Sequence, residues 1–380
     1  MSQIIKKNKV KVMFIVGSLG TGGAERFVAN ALTSLSRENF ELSAAFYRPD
    51  RTYDIPDDVL VTILGKHKPW DNIRAAYRFK CWIDKVKPDV IISAWSVPNI
   101  FTAETLRWTK HKPKWIARIA NDPTKQELGL YGKWAESSYK KADAFICVAS
   151  ELAKTFEYKY PFAKSKISTI HNAVDVEVLK SKASEEVIFP EKIKLAKDKG
   201  IPIIISIGRL ENQKRFDIML RAFANVLKER SALLIILGDG SLRHDLDTLV
   251  DALGISNNII MPGFVKNPYA WLKQADIFSL SSDHEGMSNA LLEAQALGLP
   301  AIATDCPFGT AEVIVDHNTG FLVNTGDVKS LTKYLLKLIK NHELRQRMSI
   351  KSQDNILENF TITKCMERLS KLISDITLKG

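Results

Sequence analysis

Short runs rich in Val, Ile and Phe alternate with longer amphipathic stretches along this chain, and the alternation starts twice. The first series of strand-like runs covers residues 11–16, 42–47, 59–64, 89–94, 115–120 and 144–149, each ending near Gly, Pro, Asn or Ser. Helix-like stretches at 24–35, 72–86 and 125–140 lie between them. Such alternation builds βαβ units around a parallel sheet, because parallel strands need a crossover long enough to hold a helix. The second series has strands at 203–207, 233–237, 259–261, 277–280 and 301–304, with helices at 215–228, 242–253 and 288–297. Between the two series, residues 181–200 are charged, lack a clear period and contain Pro190, which marks them as the linker. A chain of 380 residues also exceeds the size at which one core keeps growing. The expectation is an α/β protein of two Rossmann-like domains, residues 1–185 and 200–358, with ligand beyond the carboxyl ends of the strands. From Asp327 on the chain reads as consecutive helices, and residues 359–380 are expected to pack back on the first domain.

Charge divides along the same line. The net charge is +11, but residues 1–185 hold 30 basic and 20 acidic side chains, whereas residues 186–380 hold 24 and 23. A basic half fits an acidic partner such as a phosphate-rich substrate or an anionic membrane surface, and equally a solubilising lysine-rich surface. No window approaches eighteen uninterrupted apolar residues, so no membrane-spanning helix is expected. The first residues lack the apolar region and cleavage site of a signal peptide. Cys81, Cys147, Cys306 and Cys365 lie far apart, which argues against a disulfide framework or zinc site and for a reducing cytoplasm.

Three segments follow strands directly and carry polar chemistry. Gly17-Ser18-Leu19-Gly20-Thr21-Gly22-Gly23-Ala24-Glu25-Arg26 is a Gly-rich turn that lets backbone N–H groups approach an anion at a helix start. It is out of register for a dinucleotide fingerprint, since Glu25 stands where the third glycine would be, and it lacks the Gly-Lys-Ser/Thr ending of a P-loop. In Gly208-Arg209-Leu210-Glu211-Asn212-Gln213-Lys214, the pair Arg209 and Lys214 can neutralise a diphosphate, although by itself the pair fits solvated surface as well. In the third segment, Ser281–Gly286 is turn-like and 288–297 helix-like, so Asn289 and Ala290 offer N–H groups to a phosphate. Glu285 and Glu293, eight residues apart, would stand about 80° apart on one helix. With Glu285 in the loop, the two can address different parts of an elongated ligand.

Together these residues resemble the family-4 retaining glycosyltransferases of the GT-B fold. The resemblance is carried by Glu285…Glu293 within Ser282-Asp283-His284-Glu285-Gly286 and Leu292-Glu293-Ala294, and by Gly208-Arg209-Leu210…Lys214. Gly238-Asp239-Gly240, Pro262-Gly263-Phe264, Gly20-Thr21-Gly22-Gly23-Ala24-Glu25, Asn172-Ala173-Val174-Asp175 and Asp305-Cys306-Pro307-Phe308-Gly309…Glu312 support it in the family's order. What the resemblance implies is two Rossmann-like domains facing each other across a cleft, with C-terminal helices returning toward the first. Arg209 and Lys214 would bind the diphosphate of a nucleotide sugar, Glu285 the hydroxyls of the transferred sugar, and Glu293 the ribose. Gly286, Met287 and Ser288 would line the sugar and phosphates, and Gly22 and Gly23 would close the phosphate side from the first domain. Arg209, Lys214 and Glu285 form the implied catalytic set. Two cations and a helix end would take the place of a metal ion, so neither a metal nor a cofactor is implied, and the nucleotide sugar is a substrate.

The chain departs from the pattern at one place. Family members often carry a His near the sugar in the loop after the fifth strand, where this chain reads Arg118-Ile119-Ala120-Asn121-Asp122. No general base is assigned, Arg118 and Asn121 are placed on the acceptor side, and the leaving phosphate is left to take the acceptor proton. His171 and His284 lie elsewhere. Two cationic, aromatic stretches, Lys66–Trp82 and Arg107–Trp115, suit the headgroups of an anionic membrane. They motivate a lipid-linked or oligosaccharide acceptor, polyprenyl-diphosphate-linked, at the cytoplasmic face. The same aromatics would serve equally in a core. The alternatives within the fold are a nucleotide-sugar epimerase or a starch- or sucrose-type synthase. A nucleic-acid partner is not expected, since no helix-turn-helix, zinc or RNP-like pattern occurs.

Overall fold

The computed structural model describes residues 9–20, 22–50, 52–126 and 128–378. Thr21 of the Gly-rich turn and Glu127, inside the helix expected over 125–140, lie outside the described residues. The chain divides into two compact units, residues 1–172 with 362–380, and residues 173–361.

The first unit holds a seven-stranded, all-parallel sheet. Its strands are β1 (Val10–Val16), β2 (Phe40–Phe46), β3 (Leu60–Ile63), β4 (Val90–Ala94), β5 (Lys114–Ile119), β6 (Ala144–Cys147) and β7 (Ile167–Thr169), in the order β3-β2-β1-β4-β5-β6-β7. The sequences VKVMFIV and VIISA of β1 and β4 run largely apolar without alternation, because helices cover both faces of a parallel sheet and every side chain of Val12–Val16 and Val90–Ala94 is buried. Helix Ser96–Leu106 shows no amphipathic stripe for a related reason: Pro98, Asn99, Ile100, Phe101, Thr102, Ala103 and Thr105 are all buried. The single helix expected over 125–140 is two pieces, Pro123–Gln126 and Gly129–Tyr139, with Gly129 in the left-handed region at φ 57°. The last helix of the chain, Ile362–Leu378, belongs to this unit. It packs near helix Gly23–Ser34 through a face bearing Cys365, Leu369 and Ile373, spaced four residues apart.

The second unit holds a six-stranded parallel sheet of β8 (Ile203–Ile207), β9 (Leu233–Leu237), β10 (Ile259–Gly263), β11 (Ile277–Leu280), β12 (Ala301–Thr304) and β13 (Gly320–Val323). The order is β10-β9-β8-β11-β12-β13, and a core cluster including Phe223, Leu234, Ile302, Phe321 and Leu335 fills the space beneath helices Phe216–Leu227 and Val328–Lys340. The stretch read as a linker is folded into this unit. Helices Val176–Ala183 and Glu191–Asp198 occupy most of it, Ile193 and Ala196 are buried, and Asn267 Nδ2 donates to the Lys182 carbonyl at 2.8 Å. The division therefore falls after Asn172, not at 185–200, and the charge of the stretch marks the solvent faces of two short helices. Among the described residues no helix is long and apolar enough to cross a membrane.

Candidate active site

In sheets of this strand order the loops leaving the two central strands diverge, and a crevice opens at their carboxyl ends. In the second unit those strands are β8 and β11. After β8 the chain passes through Gly208 and Arg209, makes one 3-10 turn over Asn212–Lys214, and enters helix Phe216–Leu227 at Arg215, whose φ is 47°. The Lys214 stem lies across the bare Cα of Gly208: a Cβ there would stand 3.1 to 3.3 Å from its Cε, Cδ and Cγ. On the other side, a Cβ on Gly238 (φ 135°) would stand 1.9 Å from the Gly208 carbonyl oxygen. The loops after β8 and β9 thus share a volume that admits only glycine at 238.

The loop after β11 is laced to the loop after β8. Ser281 Oγ donates to the Lys214 carbonyl at 2.8 Å and Gln213 Nε2 to the His284 carbonyl at 2.6 Å. The Asp283 amide donates to the Gln213 carbonyl at 2.9 Å. Arg215 Nη1 lies 3.2 Å from both carboxylate oxygens of Asp283, and its Nε lies 3.0 Å from Asp217. The hydrogen bonds Arg215 donates to Asp217 foremost, then to Asp283, hold its pKa above its ordinary value. Arg215, Gln213 and Asp283 were not singled out from sequence. The run of polar side chains on both loops was the available signal, but their pairing spans about seventy residues and is visible only in the fold.

This lacing sets Lys214 against Glu285. Lys214 Nζ donates to Glu285 Oε1 at 2.5 Å, and Ser282 Oγ donates to the same oxygen at 2.7 Å. Both partners are largely buried, so the pair sits where a charge without a partner is costly. A carboxylate has about four acceptor sites and an ammonium three donors, so both retain capacity for a ligand's hydroxyl or phosphate oxygen. Arg209 differs: its side chain is exposed and makes no ion pair among the described residues. Glu285 also bridges to Phe308, whose φ is 85°, and the Gly309 amide donates to the Gly286 carbonyl at 3.0 Å. A Cβ on Gly309 would stand 2.5 Å from that carbonyl oxygen, which fixes the backbone of 285–287 against the loop after β12.

Met287 is buried beside this loop. Ser288 is not the first residue of the following helix but its cap, and its Oγ accepts from the Leu291 amide ahead of helix Asn289–Ala296. Glu293 turns inward: it is buried and accepts from Tyr269 Oη at 3.2 Å. A solvated glutamate on a helix is therefore excluded at 293. Tyr269, absent from the sequence reading, sits on the short helix Pro268–Leu272 capped by Asn267. One Asp-x-Asp triplet occurs in the chain, Asp245-Leu246-Asp247. It lies inside helix Arg243–Ala252, where Asp247 is 2.8 Å from Arg243, and not in the loops described above.

The remaining sequence candidates belong to the first unit. Gly22 caps helix Gly23–Ser34 with no side-chain hydrogen bond, and the Glu25 carboxylate folds back over it, 2.2 Å from where a Gly22 Cβ would be. Negative charge is favourable there, at the positive end of the helix dipole. Asn121 follows β5 in a half-buried position. Arg118 is not on an open loop: it is the last-but-one residue of β5 and fully buried. Its Nη2 donates to Asn172 Oδ1 at 2.7 Å and its guanidinium carbon lies 4.4 Å from the centre of the Phe27 ring. Nε and Nη1 have no hydrogen-bond partner among the described residues, and burial pushes the pKa down to about 10.

Comparison with known proteins bears on the family and the fold. The family pattern described as Glycosyl transferases group 1 matches residues 188–355, and that described as Glycosyltransferase Family 4 matches residues 21–178. An uncharacterized glycosyltransferase of Methanocaldococcus jannaschii is 30% identical over 286 residues, 71% of this chain and 70% of that one. A Campylobacter jejuni N-acetylgalactosamine-N,N'-diacetylbacillosaminyl-diphospho-undecaprenol 4-alpha-N-acetylgalactosaminyltransferase is 26% identical, covering 90% of this chain and 94% of the other. Among solved structures, Anabaena HepE in complex with UDP and glucose superposes with a TM-score of 0.78 at 15% identity, over 96% of this chain and 100% of that one. The chain belongs to the family-4 glycosyltransferases of the GT-B fold.

Proposed function

We propose that this glycosyltransferase moves a hexose or N-acetylhexosamine, with retention of configuration, from a UDP-sugar to a polyprenyl-diphosphate-linked glycan in surface-polysaccharide biosynthesis. The observation that carries the reading is the Lys214–Glu285 pair at 2.5 Å, held between the loops that leave the two central strands of the second sheet. A nucleotide sugar needs a cation for its diphosphate and an acceptor for its sugar hydroxyls, and this pair offers both side by side. The names of relatives support the acceptor and the donor. The Campylobacter enzyme acts on a diphospho-undecaprenol glycan, a Rhizobium meliloti relative at 24% identity is a lipopolysaccharide core biosynthesis glycosyltransferase, and the Anabaena protein is seen with UDP.

In this reading Arg209, the exposed cation, meets the diphosphate first, and Lys214 shares its ammonium between Glu285 and a phosphate oxygen. As the bond from the anomeric carbon to the phosphate oxygen breaks, negative charge grows on the nucleoside diphosphate and both cations stabilise it. The acceptor hydroxyl forms the new bond on the face the phosphate leaves, and its proton passes to the departing phosphate oxygen. Glu285 accepts from hydroxyls of the sugar and Glu293 from the ribose. Gly22 and Gly23 are proposed to contribute to phosphate binding on the resemblance alone. No metal enters this scheme.

Nucleotide release measured across UDP- and GDP-sugars, with lipid-linked acceptors and with or without EDTA, tests the proposal. The expected result is turnover with a UDP-sugar that EDTA leaves unchanged, and a product whose anomeric proton coupling matches that of the donor. Absence of turnover and of donor binding for every sugar nucleotide would overturn it, and an inverted product would overturn the stereochemical part.

A further inference from the structure

Two helices of the first unit leave large apolar side chains uncovered. On helix Asn72–Val86 and the turn before it, Trp70, Ile73 and Tyr77 are 72%, 74% and 65% exposed. Their spacing of three and four residues puts them on one stripe, while Ala75, Ala76, Phe79 and Ile83 face the core. On helix Gly129–Tyr139, Leu130 and Trp134 stand four residues apart and are 86% and 49% exposed, with Leu128 exposed just before them. The buried side of that helix is Ala135, Ser138 and Tyr139. Both stripes therefore use the face that a water-soluble helix gives to polar residues.

The two stripes are joined through the end of β2. The Trp134 ring meets Tyr131 at 6.5 Å between centroids, and the Tyr131 phenol is close enough to add to the burial that raises the Tyr47 pKa. The Lys66 ammonium lies 4.7 Å from the centre of the Tyr47 ring, and the Lys66 amide donates to the Tyr47 carbonyl at 3.0 Å. Two residues on, the Lys68 ammonium lies 5.0 Å from the Trp70 ring. Cations accompany both stripes: Lys68, Arg74 and Arg78 on the first and Lys125 and Lys133 on the second are exposed. Two acidic neighbours among the described residues are already engaged. Asp71 accepts the amides of His67 and Lys68, and Glu136 pairs with Lys140 at 2.8 Å.

We propose that this face of the first unit lies on an anionic bilayer, with Trp70, Ile73, Tyr77, Leu130 and Trp134 entering the headgroup zone and the lysines and arginines on lipid phosphates. Amphipathic aromatic rings beside cations are the composition that binds such an interface, and the net positive charge of the face selects anionic lipid over a neutral partner. The second stripe extends the sequence expectation, which named only residues 66–82 and 107–115. It also replaces part of it: Trp115 is a core residue, with its indole N–H donating to Ser93 Oγ at 2.7 Å.

The proposal does not rest on the transferase reading, because vesicle binding is measured without turnover. Co-sedimentation of the full chain is compared on phosphatidylcholine vesicles and on an equal mixture of phosphatidylcholine and phosphatidylglycerol, at low and high salt. Binding is expected on the mixed vesicles only and is weakened by salt. Trp70→Ser with Ile73→Ser, and separately Leu130→Ser with Trp134→Ser, each reduce it about tenfold or more. Lys68→Gln and Lys133→Gln each reduce it about fivefold. The lysine variants change exposed side chains outside the core and keep the test open where a serine pair harms folding. Brominated lipids are expected to quench indole emission less in Trp70→Phe with Trp134→Phe than in the natural chain. Equal binding to both vesicle types, or binding unchanged by both serine pairs, overturns the proposal. So does sedimentation velocity showing that those pairs abolish a dimer instead.

Discussion

The two sheets of this protein present their central strands in the same order, yet the carboxyl ends of those strands are furnished differently. In the second unit the charged groups other than Arg209 satisfy one another: Lys214 and Glu285 pair at 2.5 Å, Arg215 is held by Asp217 and Asp283, and Gln213 bonds both ways to the facing loop. In the first unit the corresponding end holds Arg118, a buried cation whose Nε and Nη1 have no hydrogen-bond partner among the described residues, and Gly22, a helix cap covered by the Glu25 carboxylate. A closed network keeps its geometry before any ligand arrives. A buried guanidinium with unmet donors costs stability in the same state, by about 1–3 kcal/mol for a lost partner. One end is organised by its own residues, and the other holds a buried cation with two donors that no described residue meets.

The largest effect expected from this contrast is at Lys214. Lys214→Ala leaves Glu285 buried with Ser282 as its one side-chain donor among the described residues, so unfolding free energy from urea titration should fall by about 3–5 kcal/mol. Nucleotide release should fall about a hundredfold or more. An unchanged rate would remove Lys214 from the reaction. Gly238→Ala comes next, since its Cβ would meet the Gly208 carbonyl at 1.9 Å and the backbone is at φ 135°. A loss of roughly 2–3 kcal/mol in thermal or urea unfolding is expected, and a neutral result would show the two loops to be looser than described.

Arg118→Met tests the other side of the comparison and should act in the opposite direction. Removing a desolvated cation while keeping much of its volume should stabilise the first unit by about 1 kcal/mol. A marked loss of stability would mean that Nε and Nη1 are met, for example by ordered water, and the contrast between the two ends would shrink. The smallest effect is a pH effect away from both ends. Asp84 accepts the amides of His111 and Lys110 and the Lys80 ammonium, and these bonds, His111 first, bring its pKa down from 3.8 to about 2. A carboxyl depressed in the folded state stabilises fully above its unfolded value and loses that contribution as pH falls through the folded one. Asp84→Asn should therefore lower stability at neutral pH, with the gap to the natural chain closing between about pH 4 and pH 2 in acid titrations.

Much of the fold was legible because parallel strands buried on both faces are continuous apolar runs, and 203–207, 233–237, 277–280 and 301–304 match β8, β9, β11 and β12 in full. What escaped was short or unpatterned. β7, with three residues, and β13, with four, lie at sheet edges, and helix Ser96–Leu106 is buried nearly all round and so shows no stripe. At the site, residue types were legible and pairings were not. Arg209, Lys214, Glu285 and Glu293 stood out as charges at strand ends. That Lys214 would be paired and Arg209 exposed depends on Gly208, Gln213 and Ser282, whose roles are contacts across distant segments. Arg118 was legible as a residue near the acceptor loop, but its burial follows from Phe27 and Asn172, which lie far away in sequence.

The final helix bears on how this chain is made. Residues 173–361 form the second unit without interruption, whereas the first unit needs Ile362–Leu378, synthesised after it. At about 5–20 residues per second, the ribosome spends roughly 10–40 s on the second unit while the first waits without its closing helix. During that interval the face of helix Gly23–Ser34 that later meets Ile362–Leu378 is open, and so are the partners of Cys365 and Arg368 around His171. Truncation at the carboxyl terminus would thus injure the amino-terminal half, and the order of completion during translation runs opposite to the order of the sequence.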